Sequence, residues 1–287
     1  MIILAQFTNQ AQLAYNDSVI NSNIAVGEIL EVLSVTKTAV GDDYGADSNL
    51  TYVISVVNSG ATPFNALTLT DDLGAYAFDT STLVPLTYNE GTVTYYINGI
   101  LQPVPAVTAE GTNLVISGIS VPADGNATIV YEASTNRYAP LETGAEITNT
   151  VTLSGGGITP VTAEETVTAE SEPELSVTKS VSPVPVAENG TLTYTFVIQN
   201  VGNTPATADD LAVITDTFNP VLSNLAVTFN GEAWTEPADY TYDETTGVFS
   251  SVAGVITVPA ATFTQDSTTG VWITTPGVST LTITGTV

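Results

Sequence analysis

From Asn49 to Asn58 apolar and polar residues alternate, with Leu50, Tyr52, Ile54 and Val56 on one side of the chain and Thr51, Val53, Ser55 and Val57 on the other. A period of two puts every second side chain on the same face of a β-strand, so the first set marks a core face. The alternation returns at Leu192, Tyr194, Phe196 and Ile198. Turn-forming residues punctuate the runs at Asn58-Ser59-Gly60, Pro63, Asn98-Gly99, Pro122-Ala123-Asp124-Gly125, Asn189-Gly190, Asn230-Gly231 and Pro276-Gly277. No helical period is sustained anywhere. Many short strands at this spacing predict an all-β chain built of antiparallel sandwiches with Greek-key connections.

The pattern is also duplicated. Leu33-Ser34-Val35-Thr36-Lys37 matches Leu175-Ser176-Val177-Thr178-Lys179, and Asn49-Leu50-Thr51-Tyr52 matches Thr191-Leu192-Thr193-Tyr194. Asn58-Ser59-Gly60 matches Asn200-Val201-Gly202. The first copy runs through Ile129-Val130-Tyr131 and closes with two further strand-like runs, Ile147–Ser154 and Ile158–Ala169. The second copy reaches Val287, the counterpart of about Thr135, without those two runs. A segment like them stands at the N-terminus, where Phe7-Thr8-Asn9-Gln10-Ala11-Gln12-Leu13 parallels Ile147-Thr148-Asn149-Thr150-Val151-Thr152-Leu153. We therefore expect a donor-strand segment at 1–31, a complete sandwich at 32–171, and an incomplete sandwich at 172–287. The donor offers Phe7, Asn9, Ala11, Leu13 and Tyr15 on one face, with Ile20, Ile24, Val26 and Ile29 in its second run. Short connections on both sides of the first sandwich leave too little chain, at about 3.5 Å per residue, for the donor to fold back on its own second sandwich. The expected partner is the next copy of the same chain, joined head-to-tail in an open fibre.

Composition narrows the function. Among 287 residues there are 3 basic and 30 acidic ones, a net charge of −27, which argues against nucleic acid or anionic membrane surfaces as partners. Cysteine and histidine are both absent, so disulfides, thiol nucleophiles and histidine bases are excluded. No apolar stretch is long enough to span a bilayer. Met1-Ile2-Ile3-Leu4-Ala5-Gln6 lacks the basic start of a secretory leader, so the export route stays open for a chain expected on a cell or spore surface.

The string Leu-Ser-Val-Thr-Lys, Leu-Thr-Tyr, Asn-x-Gly, Thr-Asp and Ile-Thr-Asn-Thr resembles the conserved-repeat domain of bacterial surface proteins, domain of unknown function eleven. The resemblance covers 33–169 well, 175–287 in part, and 7–30 as a detached ending. It implies immunoglobulin-like sandwiches, a cell-surface or appendage setting and no enzyme activity. The family keeps its closing strands inside each domain, and the second copy here departs from that.

Two of the three basic residues fall on inward faces. Lys37 follows Leu33 and Val35 with period two, and Lys179 follows Leu175 and Val177. Asn149 shares a face with Ile147, Val151 and Leu153, Asp71 with Leu67 and Leu69, Asn9 with Phe7 and Ala11, and Asp216 with Ile214. A buried lone charge is costly, so these groups belong together. One reading is an amide formed between Lys37 and Asn149 with Asp71 assisting, as in self-crosslinking surface domains. It repeats between subunits as Lys179, Asp216 and Asn9. Desolvation frees the amine as a nucleophile, and the neutral Asp acid polarises the Asn carbonyl. The other reading is a noncovalent Lys–Asp pair bonded to Asn. The sequence leaves both open.

Asp42, Asp43 and Asp47, and Asp209 with Asp210, read as solvated acidic loops rather than calcium sites, so no metal or other cofactor is expected. Trp234, Tyr240, Tyr242 and Trp272 read as hairpin or core packing in preference to a ligand patch. No catalytic constellation is recognisable, and an enzyme is not expected. The function expected is a structural filament subunit. The alternatives are an adhesin for a host protein or glycan, and a surface-layer spacer; a receptor or tip partner is not legible.

Overall fold

The computed structural model describes residues 4–287, excluding the side chains of 4–6, 28–30 and 110. The first three residues of the leader reading therefore lie outside the described residues, as does the side chain of Ile29. The N-terminal segment is a hairpin of β1 (Leu4–Asn9), β2 (Gln12–Tyr15), β3 (Ser18–Asn21) and β4 (Ala25–Leu30). It turns at Asn16 and Asp17, whose φ values of 41° and 60° suit the twist of a two-residue turn. Leu13 faces Ile20 and Ser22 bonds Ala11, yet Asn9 faces Ala25, so the returning side carries one extra residue. That bulge has a consequence for the faces: Ile20 shares one with Leu13, but Val26 stands across from Thr8, opposite to Phe7 and Asn9. The Phe7 ring lies over Gly27, where an added Cβ would meet it at 2.3 Å.

The next stretch holds β5 (Leu33–Val40), β6 (Asp43–Tyr44), β7 (Asn49–Asn58), β8 (Phe64–Asp71), β9 (Tyr76–Phe78), β10 (Ser81–Leu83) and β11 (Leu86–Tyr88). It continues with β12 (Thr94–Ile97), β13 (Ile100–Gln102), β14 (Ala106–Glu110), β15 (Asn113–Val121), β16 (Gly125–Thr135), β17 (Glu146–Gly155) and β18 (Val161–Ala169). One sheet runs β13-β12-β16-β7-β5 with β11 on β16, and the facing sheet runs β14-β15-β8-β17-β18-β6. The alternation predicted for β7 holds throughout: Leu50, Tyr52, Ile54 and Val56 are buried against Leu67, Leu69, Ile116, Ile129, Val151 and Leu153.

The remaining strands are β19 (Leu175–Ser182), β20 (Thr191–Asn200), β21 (Thr215–Thr217), β22 (Ser223–Phe229), β23 (Glu232–Ala233), β24 (Tyr240–Asp243), β25 (Val248–Ser251), β26 (Thr262–Gln265), β27 (Trp272–Thr275) and β28 (Gly277–Thr286). A five-stranded sheet, β19-β20-β28-β22-β23, faces a three-stranded one, β21-β25-β24. Their core gathers Leu192, Phe196, Ile198, Phe218, Phe249, Leu281 and Ile283. The protein is all-β, built of β-sandwiches of mainly antiparallel sheets.

Several residues read from the sequence as turns or loops have firmer roles. Asn58 is buried, donates to Thr62 O and Pro122 O, and accepts from Gly60 N; Asn200 repeats this with Thr204 O, Pro259 O and Gly202 N. Asp43 is part of a strand, paired in parallel with Thr168, not a loop. Asp209 and Asp210 lie in a 3-10 turn, where Asp210 accepts from the backbone N–H of Thr207. Of the four aromatics, Trp234 stacks on Phe229, Tyr240 stacks on Phe249, and Tyr242 bonds both backbone groups of Leu222. Trp272 faces the first sandwich instead, beside Tyr76, Pro85, Pro140 and Ile147, with its backbone N–H donating to Arg137 O.

Candidate functional site

The predicted first centre is assembled. Lys37 comes from β5, Asp71 from the end of β8 and Asn149 from β17, so the group bridges the two sheets. Lys37 Nζ donates to Asp71 Oδ2 at 2.7 Å, and the lysine side chain is fully buried. Asp71 Oδ1 accepts from Leu73 N at 3.0 Å. Two residues that the sequence reading passed over complete it. Tyr131 of β16 donates to Asp71 Oδ2 at 2.8 Å and accepts from Asn149 Nδ2 at 3.0 Å. Tyr52 of β7 stacks on Tyr131, and its ring lies 4.8 Å from the lysine nitrogen. Their only sequence signal was membership of the apolar face, shared by Tyr52 with Leu50 and Ile54. A hydroxyl on a core face is the cue that would have found them.

The electrostatics follow from burial. Desolvation lowers the Lys37 pKa below its usual 10.5, opposed by the attraction of Asp71. Burial pushes the Tyr131 hydroxyl well above 10.0, and the Asp71 charge adds to the effect. Asn149 Oδ1 and the Tyr52 hydroxyl are buried without a hydrogen-bond partner. An amine, an amide carbon and a carboxyl group are thus enclosed with two polar atoms that lack partners of good geometry, although Asn149 lies near enough to Tyr52 to oppose the rise of its hydroxyl pKa.

In the second copy the described residues pair the lysine with its aspartate and place no asparagine beside them. Lys179 bonds Asp216, as Lys37 bonds Asp71, and sits over the rings of Tyr194, Phe196 and Phe218 at 4.5, 5.4 and 5.3 Å. Yet its side chain is 39% exposed. Identical pentapeptides have opposite environments: Val35 is 9% exposed, and Val177 is 55% exposed. The cause is topological. In the first sandwich β8 lies between β15 and β17, with β18 beyond; in the second, β21 pairs with β25 and, among the described residues, nothing pairs with its other edge. Two adjoining depressions of about 150 and 290 Å³ run along that flank, lined by Leu175, Val177, Lys179, Phe196, Val213 and Ile214.

Asn9 is not beside Lys179 within the chain. It stands in the hairpin, which projects with Phe7, Leu13, Tyr15, Ile20, Ile24 and Val26 all more than half exposed. Ala11 is exposed as well. Among the described residues no group of three or more candidate ligands that could hold a metal ion occurs, and no helix is long and apolar enough to cross a membrane.

No protein-family model matches this chain, and no curated protein does. Solved structures show distant likeness. BcpA, the major pilin subunit of Bacillus cereus, is 13% identical over 94% of this chain and 73% of its own, with a TM-score of 0.35. The pilus backbone RrgB from Streptococcus pneumoniae is 12% identical over 85% of this chain and 55% of its own, also at 0.35. A collagen-binding domain from a Staphylococcus aureus adhesin is 12% identical over 47% of this chain and 96% of its own, at 0.30. At such identity and TM-score the function has to come from the chain's own geometry.

Proposed function

We propose that this protein is the structural subunit of an extracellular, surface-borne filament, assembled head-to-tail by donor-strand exchange. The subunit divides into a donor at 1–31, a closed sandwich at 32–171 and an open one at 172–287. One observation carries the reading: among the described residues the same Leu-Ser-Val-Thr-Lys strand is covered in the first sandwich and bare in the second, while the exposed N-terminal hairpin carries a sequence that parallels β17, part of the cover of the first. A free sheet edge is a template for another strand. An isolated two-stranded hairpin is marginal in water, so the donor also gains by joining a sheet.

The closed sandwich supplies the register. There Val151 faces Asp71 and Leu153 faces Leu69. Carried over, Ala11 of the donor stands across from Asp216, Leu13 across from Ile214, and Asn9 in the place of Asn149. Burying Phe7, Leu13, Tyr15 and Ile20 contributes about 1.5–3 kcal/mol each, roughly 6–12 kcal/mol before ordering costs. Covalent closure would make the joint permanent. Lys37 condenses with Asn149 beside Asp71 inside each subunit, and Lys179 with Asn9 of the next subunit beside Asp216.

Electron microscopy and denaturing gels test this together. The intact chain should form fibres that survive boiling as a ladder of multiples. Removing 1–31 should leave no fibres, and Asn9→Ala should leave fibres that boil down to single subunits. Normal fibres from the truncated chain would overturn strand exchange, and single subunits from boiled intact fibres would overturn the covalent joint alone.

A further inference from the structure

The nitrogen that must leave when Lys37 acylates is Asn149 Nδ2, and its hydrogen-bond partner is the hydroxyl of Tyr131 at 3.0 Å. That hydroxyl also donates to Asp71 Oδ2 at 2.8 Å, the oxygen that holds Lys37 Nζ at 2.7 Å. Among the described residues Asp71 makes no hydrogen bond to Asn149 itself. Proton traffic from lysine to the leaving group therefore has one connected route, Lys37 to Asp71 to Tyr131 to Asn149. We propose that Tyr131 is a catalytic residue of this closure, handing the departing ammonia its proton while taking one from Asp71; the assignment rests on the Lys37–Asn149 bond proposed above.

The step balances without any further reactant. Asp71 takes one proton from the Lys37 ammonium, and the freed lone pair of Nζ attacks Cγ of Asn149. Once Asp71 carries the proton and the attacked carbon is tetrahedral, the lone pair of Nδ2 is freed and the Tyr131 hydroxyl turns its hydrogen from Asp71 to Nδ2. Asp71 then passes its proton to the Tyr131 oxygen as Tyr131 passes its own to Nδ2. The Cγ–Nδ2 bond breaks and ammonia departs. A second Nζ proton moves to Asp71, which ends as the neutral acid beside a new secondary amide. No atom is oxidised or reduced. An amide anion is far too basic to leave unprotonated, and Tyr131 and Asn149 are fully buried, so bulk water is not at hand to protonate it. The other charged groups near the lysine are Asp72, just beyond β8, and Glu165 of β18. The relay belongs to the first sandwich alone. Tyr131 pairs with Tyr52 in the ladder, and the residue pairing with the equivalent Tyr194 is Ile283, which has no hydroxyl.

The full chain is synthesised in a cell-free reaction, quenched in denaturant at intervals and cut with a glutamate-specific protease. Free and cross-linked Asn149 peptides are then weighed. Tyr131→Phe should close at least ~100-fold more slowly than the parent, the scale of a lost general acid. Tyr95→Phe, another buried tyrosine of the same sandwich, should close like the parent. Fluorotyrosine at position 131 keeps the hydroxyl but makes it more acidic, so closure should persist with its pH profile displaced to lower pH. A hydroxyl that only supports packing would leave that profile unmoved, which covers the case in which Tyr131→Phe folds poorly. Parental closure in Tyr131→Phe, or an unmoved fluorotyrosine profile, overturns the relay and leaves the bond standing. A parent that never forms the cross-linked peptide overturns the bond, and the relay with it.

Discussion

Replacing both members of the buried pair, in the double variant Lys37→Met/Asp71→Leu, separates the covalent from the noncovalent reading by the size of a stability change. Exchanging a buried ion pair for apolar residues of similar size is neutral or stabilising by about 1–4 kcal/mol. Asn149 Oδ1 can accept from the Tyr131 hydroxyl that Asp71 releases, but the Leu73 N–H that Asp71 Oδ1 accepted is left unpaired, at about 1–3 kcal/mol. If the centre is only an ion pair, the double variant should therefore stay within about 3 kcal/mol of the parent. If residues 37 and 149 are bonded, the variant also loses a cross-link that closes a loop of about 110 residues, worth ~5 kcal/mol by loop entropy. The expected result is a net loss of roughly 2–8 kcal/mol, a factor of about 30 or more in exchange protection. Hydrogen exchange read on peptides from β7 and β16 reports this sandwich without interference from the other. A double variant as well protected as the parent would refute the covalent reading.

Burial raises the hydroxyl pKa values of Tyr44, Tyr52 and Tyr131 above 10.0, so above that pH the folded chain keeps protons that the unfolded chain gives up, and stability falls. An unlinked Lys37, its pKa lowered by burial, would act with the opposite sign, gaining stability as pH rises toward 10.5, whereas an amide nitrogen does not titrate. The thermal midpoint of the first sandwich should then be nearly level from about pH 8 to 10 and decline beyond, and a midpoint still level at about pH 12 would contradict the assignment. Asn58→Ala removes the partner of Thr62 O, Pro122 O and Gly60 N, and at the lower end of ~1–3 kcal/mol per unsatisfied group, since the three bonds are part-buried, it should cost roughly 3–5 kcal/mol in denaturant unfolding. A loss under about 1 kcal/mol would mean that the loops relax around the missing amide.

Much of the architecture is local and could be read from residue order. Period two in Asn49–Asn58 selects one face, and Asn98-Gly99 and Asn230-Gly231 adopt positive φ at both residues because asparagine and glycine tolerate it. The repeat also placed Lys37 and Lys179 on inward-facing positions. Period and repetition, however, specify only faces. That Asp71 reaches Asn149 through Tyr131 depends on strands from opposite sheets meeting at one depth, a distance with no expression in sequence spacing. The bulge that turns Val26 away from Phe7 is a matter of cross-strand register, and the clamp by Asn58 and Asn200 rests on burial that a turn motif does not reveal. Most of all, Leu33-Ser34-Val35-Thr36-Lys37 and Leu175-Ser176-Val177-Thr178-Lys179 are identical as sequence and opposite in environment. What separates them is whether strands such as β17 and β18 lie alongside, as they do in the first sandwich and no described strand does in the second, since burial is a property of neighbours and not of the strand itself.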